Sequence, residues 1–341
     1  LNRFNLSVNH LMMLLDPIMM LTMNLTSVAV VWFGAKLIDI NGLEIGNMMA
    51  FLQYAMQIII SFLMISMVFI MVPRATVSLQ RVNEILNMKP SIINPKEPKH
   101  FPSNGKGKIE FRDVTFSYPD ANLPVLSGIN FTAEPGQTTA FIGSTGSGKS
   151  TLINLIPRFY DVSAGQILID DIDIREVSSN ELMSRIGYIP QKGVLFSDTI
   201  TSNIAYGNPK ASSKQIEEAA KIAQAAEFIN ELDKKYSSNV SQGGKNVSGG
   251  QRQRLSIARA LATDAKIYIF DDSFSALDFK TDARLRQALT KKTKNKTVLI
   301  VAQRINTIMN ADKIIVLNEG KIVGQGTHAE LMRSCSIYRE I

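Results

Sequence analysis

A glycine-rich loop is the part of this sequence best suited to chemistry. Gly143 is followed, after four residues, by Gly148-Lys149-Ser150, and the β-prone run 138–142 precedes it. Glycines let the backbone approach an anion closely, and the N-terminus of the helix that should follow presents N–H groups to phosphate. A solvated glycine turn is the alternative, which the flanking strand and helix patterns argue against. The spacing matches a P-loop, which binds ATP and Mg²⁺. The predicted contact residues are Gly143, Ser144, Thr145, Gly146, Ser147, Gly148, Lys149, Ser150 and Thr151, with Lys149 on the phosphates and Ser150 on Mg²⁺.

Short apolar runs predict the strands that hold this loop in place. Ile267 to Phe270 is an apolar run that ends at Asp271, where a carboxylate can bind the Mg²⁺ of a nucleotide. The segments 109–118 and 125–132 also indicate strands. We therefore predict an α/β P-loop ATPase domain over residues 109–341.

The first hundred residues have a different character. Residues 17–35 and 45–73 contain no charged side chain, which makes uncharged stretches of 19 and 29 residues. Such stretches are long enough to cross the roughly 30 Å hydrocarbon core of a bilayer as helices. A buried helical hairpin of a large soluble protein is the alternative. We interpret the two stretches as membrane spans in contact with a lipid bilayer.

Basic residues follow the second span. The positive-inside rule then places its C-terminal side in the cytoplasm. Residues 74–88 keep a helical pattern and predict a cytosolic extension of the second helix, while the Pro- and Gly-containing stretch 90–108 predicts an extended linker. The basic residues concerned are Arg74, Arg81, Lys89, Lys96 and Lys99.

Composition limits the remaining classes of protein. The net charge of +7 is spread along the 341 residues, and the lysine cluster 291–296 is interpreted as a solvated loop, so we expect no nucleic-acid partner. The single cysteine, Cys335, excludes internal disulfides and Cys-based metal sites and favours a reducing interior. The chain begins with Leu1 rather than Met, so we expect further residues before it, and no signal peptide can be read from it.

Several further motifs resemble those of ATP-binding cassette (ABC) transporters, and they occur in the order found in that family. The aromatic at the end of the first strand resembles the adenine-stacking position, and the other segments resemble the Q-loop, the signature motif, the Walker B strand and the D-loop. In chain order these are Tyr118, Ile189-Pro190-Gln191, Asn246-Val247-Ser248-Gly249-Gly250-Gln251, Ile267 to Asp271 and Ser275-Ala276-Leu277-Asp278.

The resemblance implies a role for each position. Tyr118 would stack on adenine, Gln191 would reach Mg²⁺ and the attacking water, and Asp271 would bind Mg²⁺ beside Ser150. Asp278 would contribute from the D-loop. It also implies a helical subdomain over about residues 192–260. The signature residues would bind the nucleotide of a second subunit across a dimer interface; they are Ser248, Gly249, Gly250 and Gln251.

Two positions depart from the family pattern. The residue after Asp271 is normally a glutamate that accepts a proton from the attacking water, and here it is the shorter Asp272. A misplaced catalytic group can lower a rate about a hundredfold. The switch histidine is replaced by Gln303, which can donate a hydrogen bond but cannot relay a proton. Together they resemble the degenerate ATP site of heterodimeric bacterial multidrug ABC exporters; a homodimer with two active sites is the alternative.

The whole pattern resembles a half-transporter of the exporter type. Residues 1–89 would be the C-terminal part of a multi-pass transmembrane domain, with the last two of six spans, and 90–108 the linker to the cassette. The expected function is ATP-driven export of a hydrophobic or amphipathic small molecule across the plasma membrane, with the cassette in the cytoplasm. An ATP-gated channel or regulator is a second possibility. A cassette ATPase that acts on DNA or ribosomes is disfavoured by the two spans.

Overall fold

The structure is a computed structural model that describes the backbone of residues 2–40, 42–119 and 121–341. It divides into two compact units, the first ending at Pro90 and the second running from Ser91 to Ile341. Each unit has its own architecture and is described by itself.

The first unit is built from two long helices, α1 (Asn2–Asp39) and α2 (Ile45–Leu86). Within the described residues, Asp16–Asp39 and Ile45–Leu86 are long and apolar enough to cross a membrane, judged by length and composition. Large apolar side chains such as Trp32 and Phe62 are more than half exposed. These helices therefore present apolar surface outward along most of their length.

The second unit contains twelve strands and nine α-helices among the described residues. The strands are β1 (Ile109–Phe116), β2 (Leu126–Ala133), β3 (Thr138–Ile142), β4 (Ala164–Ile169), β5 (Ile172–Asp173), β6 (Ile186–Ile189), β7 (Asp198–Thr199), β8 (Asn239–Val240), β9 (Ile267–Asp271), β10 (Thr297–Val301), β11 (Lys313–Asn318) and β12 (Lys321–Gly326). The helices are α3 (Lys149–Leu155), α4 (Ser179–Ser184), α5 (Ile200–Ala205), α6 (Ser213–Ile222), α7 (Ala226–Glu231), α8 (Gly249–Leu261), α9 (Phe279–Lys292), α10 (His328–Ser334) and α11 (Ser336–Glu340).

The larger sheet has six strands in the order β12-β11-β3-β10-β9-β6. All neighbouring pairs are parallel except β11 and the edge strand β12. Phe141 of β3 and Asp271 of β9 both pair with Val301 of β10. The carboxyl ends of these three strands therefore meet at one edge of the sheet, where open α/β folds bind ligands.

A smaller antiparallel sheet, in the order β2-β1-β4-β5, shares one hydrophobic core with the larger sheet and with α3. The rings of Phe111 and Phe131 stack at 4.5 Å in this core. Leu152 and Ile153 of α3 are fully buried in it. The helix that follows the glycine-rich loop is thus fixed by packing on its apolar side chains.

Four helices, α5 to α8, lie between β6 and β9 in the chain and share a second core. Ser212 and Gln215 form a reciprocal capping box at the start of α6. Buried apolar residues of α6 and α8, such as Ile216 and Leu255, belong to this core. This core fixes the position of α8 relative to the larger sheet.

Residues 91–108, which the sequence predicts as an extended linker, make several contacts with the rest of the second unit. Lys99 donates its backbone N–H to the carbonyl of Glu176 (2.8 Å), and Phe101 is buried. Asp170 Oδ1 accepts from the N–H of Gly107 (2.9 Å). The proline and glycine content predicts the lack of regular structure here but carries no information on these long-range contacts.

Candidate nucleotide-binding site

The glycine-rich loop joins the end of β3 to the start of α3. A Cβ atom at Gly143 would clash with the carbonyl oxygen of Leu317, so the tight approach of β11 requires glycine. Gly148 is the N-cap of α3 and has φ +97°, a conformation that L side chains rarely adopt. The exposed part of the loop is formed by Ser144, Thr145 and Gly146, whereas Ser147, Gly148, Lys149 and Thr151 are buried.

Lys149 points back into the loop. Its Nζ donates to the carbonyl oxygens of Gly143 (2.8 Å) and Ser144 (2.7 Å). Burial lowers the pKa of Lys149, and the nearby carboxylates of Asp272 and Asp271 oppose that shift. The ammonium group is thus held at the base of a cradle of loop backbone, where an anion would replace the carbonyls as its partner.

Asp271 lies at the end of β9, beside the start of α3. Its Oδ1 accepts from Ser150 Oγ at 3.1 Å, so the two predicted magnesium ligands are adjacent. Burial raises the pKa of Asp271, the bond from Ser150 opposes this, and the negative charge of Asp272 adds to it. A hydroxyl and a buried carboxylate are oxygen ligands of the kind that Mg²⁺ takes beside phosphates. The donor set therefore fits this ion.

Gln191, Asp272 and Gln303 form a second group, which we call the hydrolytic edge. Asp272 Oδ2 accepts from Gln303 Nε2 (2.9 Å) and from Gln191 Nε2 (3.1 Å). Asp272 has φ +46°, and its N–H donates to the carbonyl of Val301. Burial raises the pKa of Asp272, while the hydrogen bonds from Gln191 and Ser275 lower it. The shorter carboxylate is thus held between two neutral amides.

Tyr118 lies two residues beyond the end of β1. Its hydroxyl is 3.0 Å from Thr151 Oγ1, which places it next to the helix that follows the loop. Its ring makes edge contacts with Phe116 and Tyr160 at centroid distances of 4.9 and 5.2 Å. A half-buried aromatic ring at this side of the loop is suited to stack on a base.

Among the described residues, the signature residues make no hydrogen bond to the glycine-rich loop or to the hydrolytic edge. Ser248 is the N-cap of α8 and forms a reciprocal capping box with Gln251. Gly249 is exposed, and a Cβ atom at Gly250 would lie 3.4 Å from the carbonyl of Ala276. Asp278 is exposed and caps α9 through the N–H of Thr281, which holds its pKa below the usual range.

Two further residues of the site were not predicted from the sequence. Gln253 is buried and bonds to the backbone on both sides of Gln191. Ser273 is also buried, and its hydroxyl donates to the carbonyl of Ile189 (2.9 Å). One signal is present in the sequence, because Gln253 lies four residues before Ile257 on the apolar face of α8.

Strand, glycine-rich loop, helix and neighbouring carboxylate define a P-loop nucleotide-binding domain. Residues 126–275 match the ABC transporter family. An uncharacterized ABC transporter ATP-binding protein of Mycobacterium tuberculosis is 44% identical over 339 residues, which cover 98% of this chain and 58% of that protein. These similarities place the ATP-binding domain of the chain, residues 126–275, in the ABC transporter family.

Two other similarities point to exporters and flippases. An ATP-dependent lipid A-core flippase of Syntrophus aciditrophicus is 46% identical over 253 residues, or 74% of this chain and 42% of that protein. The solved structure of a bacterial Atm1-family ABC exporter with ATP bound aligns with a TM-score of 0.77 and 32% identity, and covers 88% of this chain and 52% of that one. The chain thus spans about half the length of the proteins it matches.

Proposed function

We propose that this chain is part of one half of an ABC exporter, which uses ATP to move a hydrophobic or amphipathic molecule across the cell membrane. The similarity to a lipid A-core flippase and to an Atm1-family exporter supports this assignment. An apolar helical unit that precedes an ATP-binding domain in the same chain supports it as well.

In this proposal α1 and α2 are the last two of six spans of a multi-pass plasma-membrane protein. A helix of 42 residues such as α2 is about 63 Å long, roughly twice the hydrocarbon thickness. Its charged residues all follow Pro73, so residues 74–88 would extend into the cytoplasm. Residues 1–89 would be the membrane part, 90–108 the connection and 109–341 the cytoplasmic cassette, with a helical subdomain over about 192–260.

We propose further that the ATP site of this chain is degenerate and that the partner is a different half-transporter. The observation that carries this step is the hydrolytic edge, where the Asp272 carboxylate accepts from two neutral amides. Neither glutamine can accept a proton from the attacking water or relay it, and Asp272 reaches one methylene less far than glutamate. ATP and Mg²⁺ would still bind through Lys149, Ser150 and Asp271.

The signature motif of the chain would serve the site of the partner. Ser248 and the first N–H groups of α8 lie at the start of a 13-residue helix, where the helix dipole favours an anion. In a head-to-tail pair of cassettes, these groups would contact the terminal phosphate of the partner's ATP. Hydrolysis would then occur mainly at a site that combines the partner's catalytic residues with this motif.

The test is the steady-state ATP turnover of the purified, full-length transporter with whatever partner co-purifies, before and after Asp272→Ala. We expect turnover to change by less than about threefold, since a general base contributes roughly 10² to 10⁴ only where it is used. Asp233→Ala, at an exposed site on the same domain, is the matched control. A collapse of turnover to background in Asp272→Ala alone would mean a symmetric homodimer whose Asp272 is a working base.

Directed transport needs its own measurement, because a channel or regulator of the same family would also bind ATP. ATP-dependent accumulation of an amphipathic dye in inverted membrane vesicles is expected for an exporter. Dye flux that merely follows its concentration gradient in the presence of ATP would instead indicate a gated channel.

A further inference from the structure

The loop that carries Gln191 is fastened to α8 by one buried side chain. Gln253 is only 2% exposed. Its Oε1 accepts from the N–H of Gly193 at 3.2 Å, and its Nε2 donates to the carbonyl of Pro190 at 3.2 Å. A single amide therefore holds the backbone on both sides of Gln191.

We call Gln253 and its two hydrogen bonds to the loop the clamp. The packing around the clamp leaves the loop little freedom to move relative to α8. A Cβ atom at Gly193 would lie 3.1 Å from the carbonyl oxygen of Arg252 and from Ser256 Cβ, both on α8. One turn further on, Arg259 Nη1 donates to the carbonyl of Val194 at 2.8 Å. The loop thus follows the surface of α8 from Pro190 to Val194.

Gln253 carries polar groups that are not needed to fill the space it occupies. A buried amide costs free energy unless its donor and its acceptor are both satisfied, and a methionine would fill a similar volume without that demand. Both groups of Gln253 are satisfied by the loop, and by no other element in the described residues. Gln253 therefore serves to join the loop that carries Gln191 to α8.

The two elements have different roles in the ATPase cycle. The loop presents Gln191 to Asp272, at the site of this chain. The helix begins five residues before Gln253, at the Ser248 cap, which under the proposed function faces the nucleotide of the partner. Five residues of α-helix span only about 7.5 Å, too short a distance for the helix to bend appreciably.

We propose that Gln253 is a positioning residue that makes the Q-loop and the start of α8 move as one body. This inference rests on the proposed function in one respect, the assignment of Ser248 to the partner's nucleotide. When that nucleotide draws the start of α8 towards it, Pro190 and Gly193 are carried along. Gln191 is then displaced relative to Asp272, so each site responds to the occupancy of the other.

The first test is hydrogen exchange on the full-length transporter, comparing the native chain with Gln253→Met. Loss of the acceptor of the Gly193 N–H should speed exchange in peptides that cover 190–195 by about fivefold, as for one ordinary hydrogen bond. Peptides from α8 itself should keep their protection. Gln287→Met, an exposed glutamine on α9, is the matched control and should change neither region. Equal loss of protection in α8 and the loop would mean that Gln253 only supports the helix core, and unchanged exchange at 190–195 would also overturn the proposal.

The second test is ATP turnover in the same proteins. Gln253 contacts the loop rather than nucleotide, so Gln253→Met should lower kcat by about tenfold and leave KM within about twofold. Gln253→Glu separates the two bonds, because it keeps an acceptor for Gly193 and sets an oxygen against the carbonyl of Pro190. It should preserve the protection of Gly193 and still lower kcat. A rise in KM with kcat unchanged would contradict a positioning role.

The exchange result does not depend on which subunit hydrolyses ATP. If Asp272→Ala abolishes turnover while Gln253→Met still loosens the loop alone, the degenerate site is refuted and the clamp stands. If Asp272→Ala is tolerated and the exchange at 190–195 is unchanged in Gln253→Met, the clamp is refuted and the half-transporter assignment stands.

Discussion

The phosphate-binding loop and the hydrolytic edge lie side by side at the same end of the sheet, yet they follow different rules. The loop keeps every residue that its pattern requires, from Gly143 to Ser150, and Asp271 lies next to Ser150. The hydrolytic edge departs from the family pattern at Asp272 and Gln303, which are joined by a hydrogen bond. Binding depends on backbone geometry and a fixed charge, whereas hydrolysis depends on the reach and basicity of one carboxylate. One can therefore be lost without the other.

The largest effect should come from the loop. Lys149→Ala removes the buried ammonium group at the base of the cradle, and we expect the affinity of this site for a fluorescent ATP analogue to fall at least about a hundredfold. Equilibrium binding in the presence of Mg²⁺ measures it. Lys210→Ala, at an exposed position on the same domain, should bind normally. Unchanged affinity in Lys149→Ala would remove the loop from the nucleotide site.

An intermediate effect should come from restoring the hydrolytic edge. In a transporter whose partner subunit has lost its own P-loop lysine, the pair Asp272→Glu and Gln303→His should raise the residual ATP turnover by about tenfold. The gain is limited, because position 272 has φ +46°, which aspartate tolerates better than longer side chains. Each single variant should gain less than the pair. No gain in the pair would mean that the impairment lies elsewhere than in these two residues.

The smallest effect should be on stability. It distinguishes the cost of burying the Asp271 carboxylate from the role of that carboxylate in binding Mg²⁺. Because burial raises the pKa of Asp271, the folded state holds a proton there more tightly than the unfolded state does. The contribution of this group to stability is present at low pH and is lost as the pH rises from about 4 through the raised pKa. An asparagine at position 271 has no carboxylate to ionise, so the folded protein would not lose this stability as the pH rises.

We therefore expect Asp271→Asn to raise the Tm of the nucleotide-free protein by about 2–4 °C at pH 7.5, in the presence of a chelator. The difference should shrink as the pH is lowered towards 4. Asp233→Asn, at an exposed site on the same domain, is the matched control. Differential scanning calorimetry measures both. A lower Tm for Asp271→Asn at pH 7.5 would mean that the carboxylate stabilises the folded domain despite its burial.

The parts of the fold that could be predicted are those encoded by neighbouring residues. The helix start at Lys149 is confirmed, and the strands predicted at 109–118 and 125–132 are confirmed to within two residues as β1 and β2. Within the helical subdomain, α8 begins at Gly249, where the Ser248 capping box sets its start. Local spacing, glycine placement and caps determine these elements.

The parts that could not be predicted depend on residues far apart in the chain. The pairing of β1 with β4 joins segments separated by β2, β3 and α3. The bond from Ser273 to Ile189 spans 84 positions, and the two bonds of Gln253 to the Q-loop span 60 and 63. A buried glutamine on an apolar helix face signals that a partner exists, but the sequence does not say which loop supplies it.

The two hydrogen bonds that Lys149 donates to the loop have a consequence for what phosphate binding would change. In the structure its ammonium group is already satisfied by the carbonyl oxygens of Gly143 and Ser144. Phosphate binding would therefore be an exchange of partners, and the affinity would reflect the difference between two sets of hydrogen bonds rather than the strength of one. When the terminal phosphates depart, the same carbonyls receive the ammonium group again. Release would thus leave no buried cation without hydrogen-bond partners.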